Sequence, residues 1–333
     1  TRYVGVQVGI GGIQPMQAAF VDKKGYGDCK GLVNYTKALL KAAGVESFYT
    51  LIYSGNDENM ISSAFPCDNF NHIILCVPLN RDTTWLECTN QRQAFGFLGS
   101  STHNRYALLI TENGGKLVRT PKYGISENHS IRKGEITLDA DGDATARIIT
   151  ETRGLESENV EAVMYDSPED QKKGYYRRSR LADSRLNKLA YTLEGDMLPV
   201  GREDVDVFIP AFAGKSGTRM FLPVVMPDRV QSIPLLTNER KFPVVIRESF
   251  TESDTLKMII PKGFKVEYVP AEQKIESGFG LYSLSVNVQG NEITSIRSFA
   301  LLENRFKPSD FPDLVAFLKK TVKADQTKLV FLQ

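Results

Sequence analysis

Histidine, cysteine and tryptophan are scarce in this chain. Its 333 residues include three histidines (His72, His103, His129), one tryptophan (Trp85) and four cysteines. The histidines are scattered and no Cys-x-x-Cys pair occurs, so the spacings of a structural zinc site are missing. Cys29, Cys67, Cys76 and Cys88 all precede residue 90, and they form no dense, regular disulfide framework. Blocks of like charge are also missing. With 41 basic against 40 acidic residues the net charge is +1, which points to neither nucleic acid nor a membrane surface as partner. No apolar run is long enough to span a bilayer. Gly9 and Gly11 begin a dinucleotide-type glycine pattern, but Gln14 stands where its last glycine belongs and Pro15 interrupts the helix that should follow. The stretch reads instead as the end of a strand over 1–9 and a turn leading to Cys29. No initiator methionine or signal peptide is in view.

What is present is enough to build cores. Hydrophobic residues make up 41% and aromatics 10%, and the length suggests two domains. The organising stretch is Gly25-Tyr26-Gly27-Asp28-Cys29, which runs into apolar residues at helical spacing: Leu32, Leu39, Leu40 and Ala43. Asp28 is an N-cap and Gly44 a C′ residue by type, so a helix is expected from about Cys29 to Ala43. A cysteine in a first helical turn faces unpaired amide groups and the positive end of the dipole, an arrangement that favours thiolate over thiol. Strands are expected at 45–53, 70–77, 83–89 and 105–110, with a loop over 54–69.

The hairpin of 70–77 with 83–89 carries the chemistry. If facing residues sum to 161, His72 lies opposite Thr89 and Glu87 opposite Ile74, with histidine and carboxylate on one face. If they sum to 162, the two side chains point to opposite faces. The sequence leaves both registers open. A nucleophilic cysteine needs a base and a group to orient that base. Cys29, His72 and Glu87 are the candidates, with Asp82 and Asp68 as lesser alternatives to Glu87. Cys67, Cys76, Cys88 and Trp85 read as core residues. Gln14 or Gln17 could join the Cys29 amide as oxyanion donors, and His103 and Asn104 lie in a loop that could border the cleft.

Beyond about residue 123 the texture changes to short strands and frequent turns. A hairpin is expected over 135–150, a helical insertion near 167–190, and further strands over 204–213, 218–225 and 244–302. An amphipathic helix over 311–322 and a closing strand over 328–332 end the chain. This spacing of strands suggests an antiparallel sandwich. It contains no catalytic constellation.

Gly27-Asp28-Cys29 with its helix, Phe70-Asn71-His72-Ile73-Ile74, and Trp85-Leu86-Glu87-Cys88-Thr89 together resemble the core of the bacterial transglutaminase-like (papain-like) superfamily. There the three motifs carry the catalytic Cys, His and Asp. Glu87 departs from the pattern by one methylene. The resemblance implies an α+β chain: a papain/transglutaminase-like core over 1–122, and an antiparallel β-sandwich region over 123–333 with the helical insertion. It implies a β domain upstream of residue 1, and a periplasmic or cell-surface setting. The activity implied is that of a cysteine protease or amidase, by thiol acyl transfer to water on a peptide or protein substrate. No cofactor or metal is called for. The alternative is a catalytically degenerate scaffold that binds a partner at the cell envelope.

Overall fold

The computed structural model describes residues 1–6, 8–55, 61, 68–79, 82–181, 183–229, 232–235 and 240–333. Cys67, Asn80, Arg81 and most of the loop expected over 54–69 lie outside the described residues. The chain divides into two compact units: residues 1–123 with 194–199, and residues 124–193 with 200–333.

The first unit begins with β1 (Arg2–Tyr3), α1 (Ala18–Lys24), β2 (Tyr26–Gly27) and α2 (Cys29–Ala42). It continues through β3 (Phe48–Ile52), β4 (His72–Leu79), β5 (Asp82–Leu86), β6 (Tyr106–Thr111) and β7 (Gly114–Arg119). The last five strands form an antiparallel sheet in the order β5-β4-β3-β6-β7. Alternation along β3 and β4 supplies two cores, one for each face. Val33 of α2 packs with Ile73, Leu75 and Val77, while Ile52, Ile74, Cys76 and Trp85 form a separate cluster. Trp85 is thus a core residue.

The expected strand over 1–9 is a two-residue strand instead. β1 pairs in parallel with β2, and Gly9–Gly12 forms a 3₁₀ turn. Glycines at 5, 9, 11 and 12 weaken an extended run. The helix α1, short and mostly exposed, was not anticipated.

The second unit contains β8 (His129–Leu138), β9 (Ala144–Arg153), α3 (Glu158–Met164), α4 (Pro168–Ser179), β10 (Arg185–Glu194) and β11 (Val200–Ile209). These are followed by β12 (Gly214–Ser216), β13 (Arg219–Pro223), β14 (Val244–Ile246), β15 (Phe250–Ile259) and β16 (Lys265–Tyr268). Then come β17 (Gln273–Ser277), β18 (Gly280–Gln289), β19 (Glu292–Leu301), β20 (Asn304–Phe306), α5 (Phe311–Asp325) and β21 (Lys328–Leu332). An eight-stranded sheet runs β10-β11-β9-β8-β15-β19-β18-β17, and a four-stranded one β12-β13-β21-β16. One hydrophobic core joins Ile136, Ile148 and Met258 of the large sheet to Met220, Leu222 and Phe331 of the small one, and to Phe317 of α5.

Two expectations are corrected here. The large sheet is not wholly antiparallel, because β15 pairs in parallel with β8, Thr251 facing His129. The long connection between these strands frees them from the antiparallel geometry a tight hairpin imposes. The helical insertion is also shorter than expected. α4 starts at its Ser167 cap with Pro168 in the first turn, and stops where Arg180 turns left-handed at φ 58°. Arg185–Glu194 is a strand beside β11. Leu189, Tyr191 and Leu193 alternate with period two, and that pattern prevails over the helical spacing of Leu186, Leu189 and Ala190.

Candidate active site

The site is built from the start of α2. Gly25 ends α1 with φ +70°, and its neighbours are tied down by Arg2 N–H to the Gly25 carbonyl and Val4 N–H to the Gly27 carbonyl, both 2.9 Å. Gly27 is needed for close approach: a Cβ there would lie 3.3 Å from both Leu32 N and Val21 Cγ2. Asp28 is buried, and its Oδ1 accepts from Gly31 N–H at 2.9 Å, the expected N-cap bond. Its other oxygen forms an ion pair with Lys30. Cys29 therefore stands as the first helical residue, half-buried, with the first-turn amides beside it.

The hairpin register is the one in which facing residues sum to 161: Leu75 faces Leu86, Cys76 faces Trp85, and Val77 faces Thr84. Glu87, one residue beyond β5, falls on the parity of His72, at the head of β4. His72 Nε2 and Glu87 Oε2 are 2.8 Å apart. The other carboxylate oxygen, Oε1, accepts from Thr89 N–H at 2.9 Å and from Thr89 Oγ1 at 2.5 Å. Both Glu87 oxygens are thus committed, which holds the carboxylate in place. Cys29, at the head of α2, lies close enough to His72 to favour the charged imidazole.

Burial opposes charge on the imidazole. Cys29 and the hydrogen bond that the ring donates to Glu87, with their negative charge, outweigh it and push His72 up to about 9. Glu87 shows the counterpart. Burial favours its protonated form, but His72 and the two Thr89 bonds hold the carboxyl below the usual range. Burial pushes the Cys76 and Cys88 thiols up to about 11 each.

The lesser candidates are not brought to this cluster. Asp82 sits at the far end of β5, paired with Leu79, where its carboxylate accepts from Thr83 N–H. Asp68, Gln14 and Gln17 are exposed. His103 is buried and stacks on Tyr123 with ring centroids 5.8 Å apart, and Asn104 accepts from Arg119. Two tyrosines join the site without a motif in the sequence to mark them. Tyr3 and Tyr49 lie within electrostatic reach of Cys29, and for each, burial first and the Cys29 charge next raise the phenol. The pairing of β1 with β2 beside the cysteine is the signal that would have found Tyr3. Among the described residues no group of three His, Cys, Asp or Glu is disposed to hold a metal ion. None of the described helices is long and apolar enough to cross a membrane.

Comparison with known proteins adds the following. Residues 218–331 match DUF3858, a domain of unknown function with a solved structure. The fold is similar to the crystal structure of a "putative protease" from Parabacteroides distasonis ATCC 8503, with a TM-score of 0.50 and 14% identity. The likeness covers 95% of this chain and 46% of that one, so this chain spans about half the length of the solved structure it matches. At that identity it speaks for the fold alone. No curated protein matches.

Proposed function

We propose that the chain is a cysteine hydrolase of the transglutaminase-like type, a protease or amidase acting on a peptide or protein. The observation that carries this reading is the 2.8 Å contact of His72 with Glu87, itself anchored by Thr89, beside Cys29 at the head of α2. His72 receives the thiol proton and is held as imidazolium by Glu87, leaving a thiolate at a helix N-terminus. That thiolate attacks the substrate carbonyl carbon. The Cys29 backbone N–H is one donor to the oxyanion that forms. As the tetrahedral intermediate collapses, His72 gives its proton to the leaving amine and a thioester remains on Cys29. His72 then takes a proton from water, which attacks the thioester and releases the acid. Glu87 stays ionised throughout, replacing the aspartate of the superfamily. Its longer reach is accommodated because it lies past the end of β5, where Thr89 folds back onto it.

The test is alkylation of Cys29 by iodoacetamide as a function of pH, located by mass spectrometry, in the wild type and in His72→Ala. Rapid labelling well below about pH 8.5, the region of an ordinary thiol, and slowing by roughly tenfold or more in the variant is the expected result. Slow labelling that ignores the substitution would overturn the reading and leave Cys29 a core residue.

A further inference from the structure

The second unit holds a cavity of about 420 Å³ between β8, β9, β11 and the helices α3 and α4. That is the size range of small-molecule sites, and apolar Ile148, Val160, Leu181 and Met226 are among the lining side chains. Its walls carry four arginines and four carboxylates. Arg132 makes a bidentate pair with Asp228 at 2.9 and 2.6 Å. Arg229 pairs with Glu252 at 3.2 Å as well as with Asp254 beyond the lining, and Arg178 pairs with Glu203.

Three pairs therefore account for six of the eight charges. The two left over are Glu156 and Arg177. Among the described residues neither has an ion-pair partner. Glu156 meets only the amide of its neighbour Asn159, at 3.5 Å, and Arg177 is exposed on α4. A carboxylate partly withdrawn from water without a cation is costly, whereas the exposed Arg177 lines the same cavity with its charge unmatched by a carboxylate. Glu156 shows that cost. Burial, then the charges of Glu252 and Glu248, push its carboxyl up to about 7, against a smaller opposing pull from Arg229, which is itself paired with Glu252 and Asp254.

We propose that this cavity binds a small zwitterion with an apolar body, a free apolar amino acid or a dipeptide, its ammonium group on Glu156 and its carboxylate on Arg177. The two unmatched charges then complete one another through the ligand, and the apolar lining takes the side chain. The site lies wholly in the second unit and is independent of the reading given to Cys29.

Titration calorimetry on the full chain tests this at about pH 8, with L-leucine and Leu-Leu as the zwitterions. 3-Methylbutylamine and 4-methylpentanoate serve as analogues carrying one charge each. The expected result is saturable binding of at least one zwitterion below about 10 mM, with both analogues weaker by roughly tenfold. Which zwitterion binds tighter identifies the ligand as amino acid or dipeptide. Arg177→Gln should bring the zwitterion down to the affinity of the amine analogue, and Glu156→Gln to that of the carboxylate analogue. Arg177 is exposed and pairs with no carboxylate among the described residues, so its variant decides the matter even if Glu156→Gln fails to fold. No saturable binding, an analogue that binds as tightly as the zwitterion, or unchanged binding in Arg177→Gln would each overturn the assignment.

Discussion

His72 and Glu87 meet at 2.8 Å although fifteen residues separate them in the chain and neither lies in a turn. The contact exists because β4 and β5 pair with Leu75 opposite Leu86, which puts the first residue of β4 and the residue just past the end of β5 on the same side of the sheet. A slip of one residue would abolish it.

That contact makes His72 sensitive to the charge on Glu87. In Glu87→Gln the imidazole keeps a hydrogen-bond acceptor of the same shape but loses the carboxylate. Its titration midpoint, followed by proton NMR of the ring, should fall from about 9 toward 6.5. Thr89→Val should produce a smaller fall, by releasing one of the bonds that hold Oε1. An unchanged midpoint in Glu87→Gln would mean that the carboxylate does not support the imidazolium.

The same shift links stability to pH. The folded chain holds the His72 proton more tightly than the unfolded chain, with a midpoint of about 9 against 6.5. The stabilisation is therefore fully present below pH 6.5, declines as pH rises between the two midpoints, and is gone above about 9. Its full size is about 3 kcal/mol, part of it the same interaction that depresses Glu87. Denaturant unfolding of wild type and His72→Gln at pH 6, 7.5 and 9.5 should show the difference between them shrinking with pH. A difference that stays constant would refute the linkage.

At the head of α2, Asp28 both caps the helix and pairs with Lys30 while buried. Asp28→Ala should cost about 1–2 kcal/mol through the lost cap. Asp28→Asn keeps an acceptor for Gly31 N–H and should recover most of that cost, the remainder measuring the ion pair. Urea unfolding followed at Trp85, in the first unit, reads both.

Arg297 is the largest fully buried side chain of the second unit. Its Nε and Nη2 bind Asp325 at 2.8 and 3.1 Å, Nη1 binds Glu252 at 2.9 Å, and Tyr282 Oη donates to Asp325 at 2.7 Å. Arg297→Ala leaves buried carboxylates uncompensated and should destabilise the unit by about 3–5 kcal/mol. Arg297→Ala with Asp325→Ala and Glu252→Gln should recover part of the loss, because the unpaired charges go too. Thermal unfolding of the single and triple variants checks this. A triple variant no more stable than the single one would show that packing, not charge, sets the cost.

Local chemistry made part of the fold legible in advance. Asp28 before an apolar periodicity and Gly44 after it mark α2 to within a residue, because capping depends on neighbours three positions apart. The hairpin β8–β9 announces itself through the aspartate-rich turn at 139–143. Longer-range pairings did not. Leu186 to Leu193 fits helix or strand equally well until β11 lies beside it. Nothing local tells β15 to run parallel to a strand begun more than a hundred residues earlier.

The sequence by itself determined that a cysteine opens an amphipathic helix, that a histidine opens an apolar strand, and that a carboxylate closes the strand returning beside it. Tertiary structure alone decided that the histidine and the carboxylate meet. Side chains alternate with period two along a strand, so both registers of the hairpin bury equally plausible faces, and only packing against α2 on one side and the Trp85 cluster on the other selects between them. The cavity of the second unit follows the same rule. Its charges are all visible in the sequence, but which arginine neutralises which carboxylate, and that Glu156 and Arg177 are left over, depends on distances that only the folded chain defines.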